Sequence, residues 1–149
     1  MTKELRLFNT LSGQVEALAP QAPPEVGIYA CGPTVYNRAH VGNFRSFLAT
    51  DVLRRTLRRF GYRVREVMNV TDVDDRIIQK AQEAGKDLRS FTAEYIRAFE
   101  EDMATLRLER PEVVQPEDVG QGVRHAGIGA VGVRVRHVQR DAAGHQAVD

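Results

Sequence analysis

The residues of this chain that can do chemistry fall into two short runs. The first, at 29–45, reads YACGPTVYNRAHVGNFR and holds the only cysteine, Cys31, then Gly32-Pro33, then His40-Val41-Gly42-Asn43. The second, at 69–75, reads NVTDVDD and gathers Thr71, Asp72, Asp74 and Asp75. An apolar strand, a Gly/Pro loop and a helix start make a place for a phosphate. The first N–H groups of a helix lack partners, and its aligned dipoles favour an anion there. Gly42, having no Cβ, lets a ligand approach the backbone closely, and His40 adds a donor. The loop is neither of the two best-known glycine-rich phosphate motifs. In the second run, a carboxylate at a strand's C-terminal edge suits ribose hydroxyls, an amino group or a cation. Asp74 or Asp75 suits a helix cap equally well.

The surrounding pattern supplies the elements that must hold these runs. Alternation around Ser12-Gly13 predicts a short hairpin over 4–17, followed by a proline-rich connector at 19–24. Residues 26–30 are a buried-strand pattern. Phe44, Phe47, Leu48, Val52, Leu53, Leu57 and Phe60 then recur at helical spacing, and Gly61 supplies a stop. Arg54, Arg55, Arg58 and Arg59 crowd the end of that helix. They read as a solvated face suited to the negative dipole end, or as a contact for RNA phosphates. Residues 62–70 form a second strand, which completes a βαβ unit. Ligands of such sheets bind beyond the carboxyl ends of the strands, where the loops at 31–40 and 69–75 meet. Two more helices follow, at 75–85 and 88–106. The apolar stripe of the second (Leu88, Phe91, Tyr95, Phe99, Met103, Leu106) reads as core.

Composition narrows the setting without naming a partner. The chain has 149 residues, 42% apolar and 28% charged, with a net charge of +1. One domain is expected. A single cysteine excludes an internal disulfide and fits a reducing compartment. No run is long and apolar enough to span a membrane, and the N-terminus lacks the apolar core of a signal peptide. A cytoplasmic protein is the expectation.

The stretch YACGPTVYNRAHVGNFRSFLATDVLRRTLRRFGYRVREVMNVTDVDDRIIQKA resembles the N-terminal half of the catalytic domain of bacterial cysteinyl-tRNA synthetases, over about residues 5–113. Two signatures carry the resemblance. They are "C-G-x-T-V-Y-x-x-x-H-[IV]-G-[NH]" and "N-x-T-D-[VI]-D-D", at about the family's separation. The resemblance implies an α/β fold: an incomplete Rossmann-type (class I synthetase) parallel sheet with flanking helices, plus an irregular C-terminal tail. It implies ATP and cysteine as substrates and tRNA-Cys as partner. By the match, His40 and Asn43 would be catalytic and contact ATP phosphates. Pro33, Thr34, Val35, Tyr36 and Gly42 would complete the ATP loop. Gly32, Thr34 and Thr71 would border the cysteine substrate, and Cys31 would be a zinc ligand.

Beyond the second signature the chain departs from the family. A zinc that tells cysteine from serine needs at least three protein ligands, and the family takes the others from a Cys, a His and a Glu well downstream. Here only Cys31 is present, and His125, His137 and His145 lack metal-ligand spacing. The lysine-bearing loop that closes on the triphosphate is missing too. Residues 1–113 are therefore read as half of a Rossmann catalytic domain and 114–149 as a low-complexity tail. From 119 onward there is no Leu, Lys, Glu, Phe or Tyr, while residues 131–138 alternate like a strand. Apart from Ile128, every residue there can be encoded by a codon starting in G or C. This is what a GC-rich gene yields when read out of frame, so a frameshift near 111–116 is expected. A genuine Gly/Val-rich tail is the alternative. The functional expectation is a cysteine–tRNA ligase by descent, truncated and inactive alone. The alternatives are an enzyme completed by another polypeptide, a non-enzymatic nucleotide- or tRNA-binding module, and a relative of ligases that join cysteine to an amino sugar. Half a sheet leaves open edges, so a marginally stable chain is expected.

Overall fold

The computed structural model describes residues 4–116 and 133–135. A hairpin opens the chain, β1 (Arg6–Asn9) and β2 (Gln14–Ala17), paired antiparallel with Phe8 opposite Val15. Leu5 and Leu18 at its base rest on the core cluster of Val26, Ile28 and Leu57. Then come β3 (Glu25–Thr34), α1 (Val41–Arg59), β4 (Arg63–Thr71), α2 (Asp75–Glu83), α3 (Leu88–Thr105), β5 (Val113–Pro116) and β6 (Val133–Val135). β3 to β6 form one parallel sheet in the order β5-β4-β3-β6. β3–α1–β4 is the expected crossover unit, and Gly61, at φ +90°, stops its helix.

Four features differ from the sequence pattern. First, β3 does not end at Ala30 but continues through Cys31, Gly32, Pro33 and Thr34. The strand stays paired because Cys31 lies opposite Asn69 and Thr34 opposite Thr71, with a register shift between them. The apolar pattern ends early because these residues leave the core and enter a cleft. Second, β5 has no counterpart in the sequence pattern. It lies beside β4, Val67 opposite Val113, and so crosses the boundary expected after residue 113. Third, the tail expected to be irregular contributes β6, from within its strand-like run at 131–138, and this strand pairs with Ile28–Ala30 of β3. The rest of the tail from residue 117, with its three histidines, lies outside the described residues.

The fourth difference concerns α1. Its buried face holds Phe44, Phe47 and Leu57 as expected, but also Thr50, Asp51 and Arg54. Leu48, Val52 and Phe60 are exposed instead. The cause is a network of charges. Arg54 is only 4% exposed and reaches Glu66 of β4 at 2.8 Å, Glu112 at 3.2 Å and the Arg110 carbonyl at 2.9 Å. Arg58 pairs with Glu109 and with Glu112, the latter at 2.9 Å. Arg55 pairs with Asp51 at 2.7 Å and donates to the Arg107 carbonyl at 3.0 Å. Asp51 accepts from the Glu109 amide at 3.1 Å, and Glu112 accepts from the Glu66 amide at 2.7 Å. Arg54 is therefore internal and Arg55 and Arg58 are tied down at the surface, while Arg59 stays on the solvated face expected from the sequence. The first three fasten the connector after α3 to α1 and β4, and so set β5 in place. Burial pushes the Glu66 carboxyl above its ordinary pKa even though Arg54 pulls the other way.

The apolar core lies between the helices and the sheet. Phe44 and Phe47 of α1 meet Phe99 of α3 over Met68, with Phe44 and Phe99 stacked at 5.6 Å. A second cluster joins Val35 and Val70 to Ile77, Ala81 and Phe91 of α2 and α3. Both clusters sit under the C-terminal ends of β3 and β4. They hold the two chemistry-bearing runs side by side.

Candidate functional site

Those strand ends open into a cleft of about 320 Å³. Its floor is made where β3 crosses β4. The Gly32 amide donates to Asn69 Oδ1 at 3.2 Å. A Cβ on Gly32 would collide with the Asn69 carbonyl oxygen and the Met68 side chain, so only glycine fits this crossing. The Thr71 carbonyl accepts from the Val35 amide at 3.1 Å and carries the pairing to the strand end. Beyond it, Asp74 accepts from the Ile77 amide at 2.7 Å and caps α2. Asp72 is half-buried and Asp75 exposed in the first helical turn.

The wall opposite is the start of α1. His40 is its N-cap. The Gly42 amide donates to His40 Nδ1 at 3.0 Å, and the His40 amide donates to Asn43 Oδ1 at 3.0 Å. This reciprocal box does what the Ser/Glu capping box does elsewhere, with imidazole as the acceptor. It also settles the state of the ring. A neutral imidazole whose Nδ1 accepts must carry its proton on Nε2. The Nε2–H is therefore the donor that His40 can offer. Gly42 has a reason to be glycine that its sequence position does not show. A Cβ there would press on the His40 ring at 2.8 Å, so glycine makes room for the imidazole.

Of the residues singled out from the sequence, Cys31, Gly32, Pro33, Thr34, Tyr36, His40, Asn43 and Thr71 all line the cleft. Two do not. Of those two, Val35 is 1% exposed, packed in the core with Val70 and Ile77, and Gly42 is exposed beside the His40 ring. Asn37, Arg38, Ser46 and Arg76 also line the cleft, and the sequence pattern does not single them out. Arg38 is an exposed loop residue with no pattern around it to mark it. Arg76 has a readable signal, being a cation in the first turn of a helix, where acidic residues are favoured.

Cys31 is an exposed free thiol. Among the described residues, no three His, Cys, Asp or Glu side chains come together to hold a metal. A zinc site built on Cys31 needs partners these residues do not provide, so the described donor set does not fit the metal. No helix among the described residues is long and apolar enough to cross a membrane.

Solved structures with this arrangement are class I aminoacyl-tRNA synthetases. Methionyl-tRNA synthetase of Mycobacterium tuberculosis in complex with methionyl-adenylate superposes with a TM-score of 0.58 at 19% identity, over 61% of this chain and 18% of that one. The LeuRS of Agrobacterium radiobacter K84, in a ternary complex with tRNA and LeuAMS, superposes with a TM-score of 0.52 at 23% identity, over 60% of this chain and 12% of that one. At such identities the likeness shows the fold, a class I synthetase sheet with flanking helices. Sequence carries it further. Residues 17–120 match the family described as tRNA synthetases class I (C) catalytic domain, and the chain belongs to that family. The Cysteine--tRNA ligase of Koribacter versatilis is 53% identical over 110 residues, which is 74% of this chain and 22% of that protein. The Cysteine--tRNA ligase of Solibacter usitatus is 51% identical over 112 residues, 75% of this chain and 24% of that protein. The chain thus spans about a quarter of the length of these relatives.

Proposed function

We propose that this chain is the nucleotide-holding part of a cysteine–tRNA ligase, and that the cleft between β3, β4 and the tip of α1 takes ATP beside cysteine. The observation that carries this reading is the His40–Gly42–Asn43 box. It leaves one imidazole N–H as a fixed donor at the helix tip in the cleft. In the reaction, a carboxylate oxygen of cysteine bonds to the α-phosphorus of ATP. The bond from that phosphorus to the bridging oxygen breaks, and pyrophosphate leaves with the electron pair. Negative charge shifts among the phosphoryl oxygens as this happens. A positioned N–H at the positive end of a helix then stabilises the transition state more than the ground state. The cysteinyl group is next passed to the terminal ribose of tRNA. Gly32, Thr34 and Thr71 border the place where the amino acid would lie, and Pro33, Tyr36 and Asn43 the place for the nucleotide.

The sequence contains one thiol and no lysine-bearing closing loop. Completing adenylate formation calls for groups beyond these residues, and ATP binding is the property expected of this stretch by itself. Calorimetric titration with ATP should show binding that His40→Ala weakens about tenfold, the worth of one hydrogen bond to a charged group. Cysteine-dependent ATP–pyrophosphate exchange should be absent with the chain alone and appear only with a completing extract. A chain that binds no ATP, or binds it equally well as His40→Ala, contradicts the proposal.

A further inference from the structure

Among the described residues, one set of cations is held by carboxylates. Arg6, Arg54, Arg55, Arg58, Arg63, Lys86 and Arg110 all make ion pairs. Arg38 and Arg76 make none; the same is true of Arg45, Arg59, Arg65, Lys80, Arg89, Arg97 and Arg107, but of all these only Arg38 and Arg76 line the cleft. One does so from the loop before α1 and the other from the first turn of α2. For Arg76 the placement is unfavourable in the empty fold, since a cation near a helix N-terminus opposes the dipole. Asp74, the one acidic residue lining the cleft among the described residues, is already engaged as the cap of α2.

We infer that Arg38 and Arg76 receive the polyphosphate end of the nucleotide, from two sides of the cleft, and hold the pyrophosphate that leaves. The inference rests on the nucleotide reading of the cleft and adds to it the groups that bind the leaving end. Guanidinium forks match phosphate oxygens in pairs, so two of them can grip a pyrophosphate without a lysine loop. They would be binding residues that touch the substrate, while His40 serves the α-phosphate.

The test uses calorimetric titration of the full chain with inorganic pyrophosphate and, separately, with AMP, which lacks the leaving end. Arg38→Gln and Arg76→Gln should each weaken pyrophosphate about tenfold, and the pair more, with AMP unchanged. Arg89→Gln, an exposed α3 arginine outside the cleft, should change neither. Unchanged pyrophosphate affinity in the double variant overturns the inference, and so does equal loss of AMP and pyrophosphate. Wild-type chain that binds AMP but not pyrophosphate sinks the inference and leaves the nucleotide reading standing. Wild-type chain that binds neither sinks both.

Discussion

The two ends of α1 use the same kind of residue in opposite ways. At the C-terminal half, Arg54, Arg55 and Arg58 are tied to Glu66, Glu109, Glu112 and Asp51. At the N-terminal tip, Arg38 and, across the cleft, Arg76 have no partner among the described residues, and His40 keeps one N–H free by spending its other nitrogen on the backbone. The paired arginines are architecture. They replace the hydrophobic packing that Leu48 and Val52 would otherwise give, and they fix β5. The cleft arginines are solvent-exposed and without an ion-pair partner among the described residues, so they are open to an incoming anion. In this fold, a cation that answers an internal carboxylate holds the sheet together, and a cleft cation that answers nothing marks where a ligand goes.

The contrast predicts different failures at the two ends. Arg54→Ala should have the largest effect, about 3–5 kcal/mol of stability, because it strands the buried Glu66 without its counter-ion. For a domain whose total stability is of order 5–15 kcal/mol, that is enough to lose the cooperative transition seen by thermal circular dichroism. The double variant Arg54→Met/Glu66→Leu should recover most of the loss. A single variant that melts like wild type would remove the architectural half of the comparison.

Gly32→Ala comes next, at about 3 kcal/mol, since its Cβ must push β3 off the Asn69 carbonyl. It acts at the cleft floor but should register chiefly as a lower melting temperature.

Glu66 gives a smaller effect with a defined sign. Its folded-state pKa is raised, so the folded chain holds that proton more tightly than the unfolded chain does. Its contribution is most favourable below the ordinary carboxylate range and is lost as pH rises through the raised value. Melting curves from about pH 7 down to about pH 5 should show wild type gaining on Glu66→Gln. A gap that moves the other way would mean the Arg54 pair, not burial, dominates.

Gly42→Ala should change stability least. The new methyl displaces the His40 ring and removes a cap worth about 1 kcal/mol. Alanine's higher helix propensity returns part of this. ATP affinity should nonetheless fall as it does in His40→Ala, separating the site from the scaffold.

Much of this was legible in the residues. Period-2 and period-3.6 patterns place the hairpin, β3, α1, β4, α2 and α3. The spacing of Cys31, His40–Asn43 and Thr71 brings most of the cleft together. What the pattern could not reveal is where charge is internal. Arg54 and Glu66 look like surface residues until the fold puts them within 2.8 Å of each other. β5 is too short for a periodic signal and is held by the same ion network. The role of Gly42 escapes the pattern for a related reason, because the group it admits is His40 itself. The frameshift reading of the tail is a proposal that translation of the gene in all three frames would test. A synthetase-like continuation in another frame is the expected result.

Backbone-amide NMR during an ATP titration tests the central claim most directly, because it reads both ends of α1 at once. The account predicts shifts confined to residues 31–43 and 71–76, with the amides around Arg54, Glu109 and Glu112 unmoved. Shifts centred on Arg54, or none at the helix tip, would contradict it.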